Sequence, residues 1–281
     1  MNSIIKIQNI KKEYKDKLVL KDVSFKIPKG SVFAFLGTNG AGKSTLLNII
    51  IEVLMPTSGK VLMNNDKVLK SKIGVVFQEN TLDDDITVYE NLMIRGKLYN
   101  IKKNILHKRI MELSNKLGMN NFLHTKYKYC SGGQKRISMI ARALIMEPEL
   151  LIMDEATNAL DLETRKKLWN FLLNLNKVKK LTIFFSSHYI EEAENATNLC
   201  ILKNGYIIFN GSYKDLIRKY SNKQLQINFS NSILKKEVVS IKKALEYLNQ
   251  LDFKKIDTFS LHNSNLEEIF LKLIYNENTS I

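Results

Sequence analysis

Cysteine is scarce: the 281-residue chain has two, Cys130 and Cys200. They form neither a disulfide framework nor a metal-ligand spacing, which excludes a disulfide-stapled secreted fold and fits a reducing cytosol. Three prolines, Pro28, Pro56 and Pro148, stand at turns or just ahead of a strand. Long apolar runs are missing as well. The longest greasy stretch, 46–55, is broken by Asn48 and Glu52, well short of the roughly 18 residues of a bilayer span, so no segment is expected to cross a membrane. The first seven residues lack an apolar core followed by a small-residue cleavage site, so no signal peptide is expected. There is no internal repeat and no low-complexity linker.

Acidic residues are the minority: 28 Asp plus Glu stand against 43 Lys plus Arg, a formal net charge of +15. Such an excess raises nucleic-acid and anionic-membrane readings. The lysines are scattered among many Asn and Ile, however, and no Arg-rich run interleaved with aromatics marks a groove for bases. Solvated surface charge is the first reading, attraction to an anionic membrane face the second and nucleic acid the third.

What the chain does have is Gly37-Thr38-Asn39-Gly40-Ala41-Gly42-Lys43-Ser44-Thr45. This fits G-x-x-x-x-G-K-[ST], the phosphate loop of nucleotide hydrolases, and the flanks fit too: residues 32–36 read as a buried strand and 46–54 as a helix. Glycines at 37, 40 and 42 permit backbone conformations that turn successive N–H groups toward phosphates. The positive end of the following helix faces the same charge. Lys43 would reach the β- and γ-phosphates of ATP or GTP, and the Ser44 hydroxyl would ligate Mg²⁺.

Around that loop the sequence reads as strands at 3–10 and 19–27, with Tyr14 in the loop between them, and further strands at 60–63 and 72–77. Apolar residues at helical spacing from about 86 to 146 predict a helical insertion. Residues 150–153 predict a central parallel strand, 162–176 a helix and 181–185 another buried strand. Lys203-Asn204-Gly205-Tyr206 is a hairpin signal. The remainder predicts a small α+β appendage with a strand at 225–229 and helices at 241–251 and 266–275.

Open parallel sheets bind ligands beyond the carboxyl ends of their strands. Gln78, Asp154 with Glu155, and His188 all fall at such ends. Asp154 suits a second Mg²⁺-site carboxylate, and Glu155 a base for an attacking water. Each alone also reads as an ordinary loop residue or a solvated strand end; the phosphate loop is what makes the set coherent.

Ser131-Gly132-Gly133-Gln134, followed by an apolar helix, resembles the signature motif of ATP-binding cassette ATPases, and the other motifs then fall in that family's order over residues 3–220. The resemblance implies an α/β P-loop fold with a RecA-like core, an antiparallel β subdomain, a helical subdomain at about 86–146, and a C-terminal α+β extension at 221–281. It implies Tyr14 stacked on adenine, residues 37–45 on the phosphates, Gln78 and Asp154 at Mg²⁺, Glu155 and His188 at the γ-phosphate, and Ser131, Gly132, Gly133 and Gln134 facing the ATP of a second cassette packed head to tail. Cys130, Ala156 and Ala159 replace a leucine, a proline and a glycine common in the family; none is a catalytic group.

Further implications are ATP and Mg²⁺ as cofactors, a membrane permease as partner, a second cassette, expected to be an identical chain with a different one left open, a peripheral place on the cytoplasmic face of the membrane, and no nucleic acid. Residues 79–99 and the tail 265–273 resemble drug- and antibiotic-resistance exporters of the daunorubicin type. The tail also reads as an amphipathic helix covering a core edge. Three roles stay open: the ATPase of an exporter, that of an importer or envelope complex, and a soluble cassette acting on ribosomes or DNA.

Overall fold

The computed structural model of the chain describes residues 3–15, 17–63, 72–187, 189–230, 232–238 and 240–275. They fall into two compact units, Met1–Asn210 and Gly211–Ile281.

The first four strands are β1 (Ser3–Tyr14), β2 (Lys17–Pro28), β3 (Val32–Gly37) and β4 (Ser58–Met63). They form, without β3, an antiparallel sheet of order β2-β1-β4. β1 runs past the charged stretch at 11–13 where the sequence predicts its end, because Lys12, Glu13 and Tyr14 pair with Leu20, Leu18 and Lys17 of β2. Main-chain pairing in a hairpin sustains a strand that has no apolar alternation left.

β5 (Ile73–Val76), β6 (Leu150–Asp154), β7 (Thr182–Ser186), β8 (Asn198–Lys203) and β9 (Tyr206–Ser212) complete a second sheet around β3, in the order β5-β6-β7-β3-β8-β9. The pairs β5-β6, β6-β7, β7-β3 and β3-β8 are parallel. Every residue of β3 is buried, as expected for a central parallel strand covered on both faces. Phe33 and Phe35 of β3 pack with Phe25 of β2 and Phe184 of β7, joining the two sheets in one core. Asn204 and Gly205, both at positive φ, form the two-residue turn between β8 and β9.

Helix α1 (Lys43–Ile50) starts at the phosphate-loop lysine and is shorter at its end than the apolar run predicts. The N–H groups of Val53 and Leu54 both turn back to the Asn48 carbonyl, and Glu52 takes φ +61, which closes the helix.

Between β5 and β6 lie α2 (Val88–Leu98), α3 (Lys103–Leu117) and α4 (Gly132–Leu144). Capping boxes open both α2 (Thr87 with Glu90) and α4 (Ser131 with Gln134). Gly96 lets α2 and α3 approach closely: a Cβ there would stand 2.2 Å from Leu106 Cδ1. Helix α5 (Leu162–Lys179) follows β6, with Asp161 as its N-cap.

The C-terminal unit contains α6 (Tyr213–Tyr220), β10 (Lys223–Phe229), β11 (Ser232–Val238), α7 (Ile241–Leu248), β12 (Thr258–Asn263) and α8 (Leu266–Tyr275). Its antiparallel sheet has the order β11-β10-β12 and packs Leu225, Ile227 and Val238 against Ala244 and Leu248 of α7. The edge strands β11 and β12 escape the sequence reading because they are mostly exposed and carry no clean alternation. α6 packs on α8 within this unit.

Candidate active site

Strand register builds the site. Asp154, the last residue of β6, pairs with Ser186 at the end of β7, which in turn pairs with Phe35 of β3. Two residues further along β3, Gly37 opens the phosphate loop. Its position tolerates no side chain, since a Cβ would meet the Leu202 carbonyl of β8 at 2.5 Å. Gly40 and Gly42 take φ +76 and +107, so the turns of the loop that need the left-handed region are glycines.

Lys43 is only 6% exposed. Its ammonium donates to the carbonyls of Gly37 at 2.9 Å and Thr38 at 3.1 Å, folding over the loop it follows. Burial holds its pKa below the ordinary lysine value, while the carboxylates of Glu155 and Asp154 oppose that shift. A lysine and two acids are therefore gathered at one sheet end. Ser44 is exposed in the first turn of α1, with Thr45 beside it half-buried.

The Ser186 hydroxyl donates to Asp154 Oδ1 at 2.5 Å, and the Glu155 N–H donates to Ser186 Oγ at 3.1 Å and to the Ser186 carbonyl at 3.2 Å. Glu155 itself has φ +46, uncommon for a non-glycine residue. Its Oε2 accepts a hydrogen bond from the Asn158 amide at 2.8 Å. Hydroxyl, carboxylate and amide oxygens from Ser44, Asp154 and Gln78 are the hard donors Mg²⁺ takes. Among the described residues, however, no cluster of three or more His, Cys, Asp or Glu could cage a metal. Asp154 is the one carboxylate of that set, and an ion there would take its remaining ligands from neutral oxygens, water and substrate phosphates.

Gln78 lies two residues beyond the end of β5, exposed, with its carbonyl held by Arg136 at 3.1 Å. The four residues 131–134 sit at the opening of α4, where Ser131 and Gln134 cap each other through main-chain and side-chain bonds at 2.9 and 3.3 Å. Gly133 lies against the segment after β6: a Cβ there would come 3.4 Å from the Ala159 carbonyl. Cys130 is buried, with its thiol toward the Lys126 carbonyl. Tyr14 closes β1, 45% exposed, its ring 5.0 Å from the Lys12 ammonium. No hydrogen bond or ring contact among the described residues ties Tyr14 or residues 131–134 to the phosphate loop. His188 lies outside the described residues.

Three residues of this assembly were not legible as such. Ser186 and Asn158 are short polar side chains in unremarkable contexts, and only register and folding bring them to the acids. Arg136 did leave a signal, a charge within the run 136–141 that α4 buries throughout. Its guanidinium holds five main-chain carbonyls, those of Phe77, Gln78, Asp154, Glu155 and Ala156.

Comparison with known proteins matches residues 20–158 to the ABC transporter family. The chain is 34% identical over 224 residues to Nod factor export ATP-binding protein I of Cupriavidus pinatubonensis, covering 77% of this chain and 69% of that protein. It is 36% identical over 220 residues to linearmycin resistance ATP-binding protein LnrL of Bacillus subtilis, covering 76% and 70%. A solved dimeric ATP-binding cassette, in a post-hydrolysis state bound to ADP and Pi, superposes with a TM-score of 0.68 at 30% identity over 74% of this chain and 98% of that one.

Proposed function

The chain belongs to the ABC transporter family as one of its ATP-binding, ATP-hydrolysing subunits, and from that premise we propose that it powers export of an antibiotic, peptide or lipid-like compound through a separate permease. Cassettes of this family work with membrane permeases and dimerise. No helix among the described residues is long and apolar enough to cross a membrane, so the membrane passage would belong to the partner. Residues 3–220 are the nucleotide-binding domain in this reading and 221–281 its extension, peripheral at the cytoplasmic face.

The observation that carries the site assignment is the meeting of Lys43, Asp154 and Glu155 at the carboxyl edge of one parallel sheet. ATP lies along residues 37–45, with Tyr14 against the adenine. Lys43 leaves its loop carbonyls for the β- and γ-phosphates, a short reorientation of a side chain already placed by α1. Ser44, Asp154 and Gln78 are the groups that would hold Mg²⁺, which when bound would neutralise phosphate charge. Glu155 takes a proton from the attacking water, a role typically worth about 10²–10⁴-fold in rate, and the family resemblance assigns His188 to the γ-phosphate.

Two identical chains pack head to tail, so that Ser131, Gly132, Gly133 and Gln134 of each meet the γ-phosphate held by the other. The exposed opening of α4 suits that task, because the N–H groups of a helix N-terminus face an anion. Loss of the shared phosphate on hydrolysis lets the halves part and moves the permease. Export is supported by the names of the relatives above and by the resemblance of residues 79–99 and 265–273 to resistance exporters. No nucleic acid is required.

The test is purification of the tagged chain from membranes in mild detergent, with mass spectrometry of what accompanies it and ATPase activity of the complex. A hydrophobic multi-span protein without a solute-binding protein supports export. A solute-binding companion would turn the reading to import, and ribosomal or DNA-associated companions from the soluble fraction would overturn transport.

A further inference from the structure

Arg136 lies in the second turn of α4 and is 5% exposed. A guanidinium has five N–H donors, and all five are used here on neutral main-chain carbonyls. Nε donates to Ala156 at 2.7 Å, Nη1 to Phe77 at 2.5 Å and Gln78 at 3.1 Å, and Nη2 to Asp154 at 2.9 Å and Glu155 at 2.8 Å. Among the described residues no carboxylate forms an ion pair with it, although the charges of Asp154 and Glu155 act on it from nearby. One planar cation thus joins three separate stretches: α4 behind the 131–134 segment, the Gln78 segment, and the turn after β6.

That turn needs holding. Glu155 sits at φ +46, a conformation that costs a non-glycine residue energy and persists only where its surroundings over-determine it. Ser186 fixes its N–H and Arg136 its carbonyl, while Asn158 orients its carboxylate. Because the same guanidinium grips Phe77 and Gln78, displacement of the Gln78 segment would pull on the main chain under Glu155.

We propose that Arg136 is a positioning residue for the Glu155 carboxylate and the mechanical link between it and the Gln78 segment. This rests on the reading of Glu155 as the base. Lysine cannot substitute, since an ammonium offers three donors from one point and no plane to span five carbonyls.

The experiment uses the full chain with ATP and Mg²⁺ and compares Arg136→Lys, Glu155→Gln and the double variant. We expect Arg136→Lys to lower kcat by about 10–100-fold, the scale of a misplaced catalytic group, with KM and ATP affinity within about threefold of the parent, as for an interaction felt only in the transition state. Since Arg136 acts through Glu155, the double variant should be no slower than Glu155→Gln alone.

Parental kcat in Arg136→Lys overturns the proposal, and so do additive losses in the double variant while Glu155→Gln is itself slow. Parental turnover in Glu155→Gln overturns the base assignment and this proposal with it, an outcome readable from that single variant. Should Arg136→Lys fold poorly by thermal denaturation, Arg136→Ala with added guanidinium at non-denaturing concentration replaces it. Restored kcat with guanidinium but not with methylammonium supports the positioning role; equal or absent restoration overturns it.

Discussion

The Ser186 hydroxyl donates to the Asp154 carboxylate across the adjacent ends of β7 and β6, Oγ to Oδ1 at 2.5 Å, and the same oxygen accepts the Glu155 N–H at 3.1 Å. One small side chain therefore orders two neighbouring acids. Ser186→Ala should cost about 1.5–3 kcal/mol of stability, the usual loss for a hydrogen bond to a charged group. It should also raise the Mg²⁺ concentration needed for half-maximal turnover. Denaturant midpoints and a Mg²⁺ titration of ATPase activity measure both, and a variant unchanged in either would leave Ser186 a packing residue.

Lys43→Ala should lower turnover by at least about 10²-fold, because the proposed site loses its charged donor to the transferring phosphate. The protein should remain folded, since the variant removes two hydrogen bonds together with the burial cost of a charge that the structure keeps only 6% exposed. Steady-state ATPase assays beside thermal melts test this. Unaltered hydrolysis would mean that the phosphate loop is not the working site.

Two loop glycines should respond differently to alanine. At Gly40, φ is +76 with nothing within 4 Å of an added Cβ, so strain alone should cost about 1–2 kcal/mol. At Gly42, φ is +107 and the Cβ would meet Leu20 Cδ2 at 2.8 Å and the Val19 carbonyl at 3.2 Å, so Gly42→Ala should be the more destabilising and the weaker ATP binder. Equal denaturant midpoints for the two variants would show that β2 gives way freely.

Glu147 joins α3 to the end of α5 through Lys179 and through Arg109 at 2.7 Å. The hydrogen bond from Lys179, ahead of the charge of Arg109, holds its pKa below the ordinary 4.5. A carboxylate depressed on folding stabilises above its unfolded pKa and loses that contribution as pH falls through the folded one. The groups are partly exposed, so the gain is about 0.2–1 kcal/mol. Glu147→Gln should melt slightly below the parent at pH 7, with the gap closing progressively below 4.5. A gap independent of pH would assign the effect to packing.

The phosphate loop, the buried β3 and β6, the helical insertion and the order of the motifs were legible because each is a local pattern. The hairpin extension to Tyr14 and the strands β11 and β12 were not, since main-chain pairing holds exposed polar residues that carry no periodicity of their own. The same limit applies within the site.

By itself the sequence determined which residue types the proposed site draws on and in what order they occur, because glycine conformation, helix starts and strand ends are set by neighbours along the chain. Only the tertiary structure decided that Ser186 should order Asp154 and that Arg136 should clasp Phe77, Gln78 and residues 154–156 together. These partners lie 18 to 59 positions apart along the chain. Sheet register and helix packing bring them within reach, and neither is written in the spacing of a single sequence.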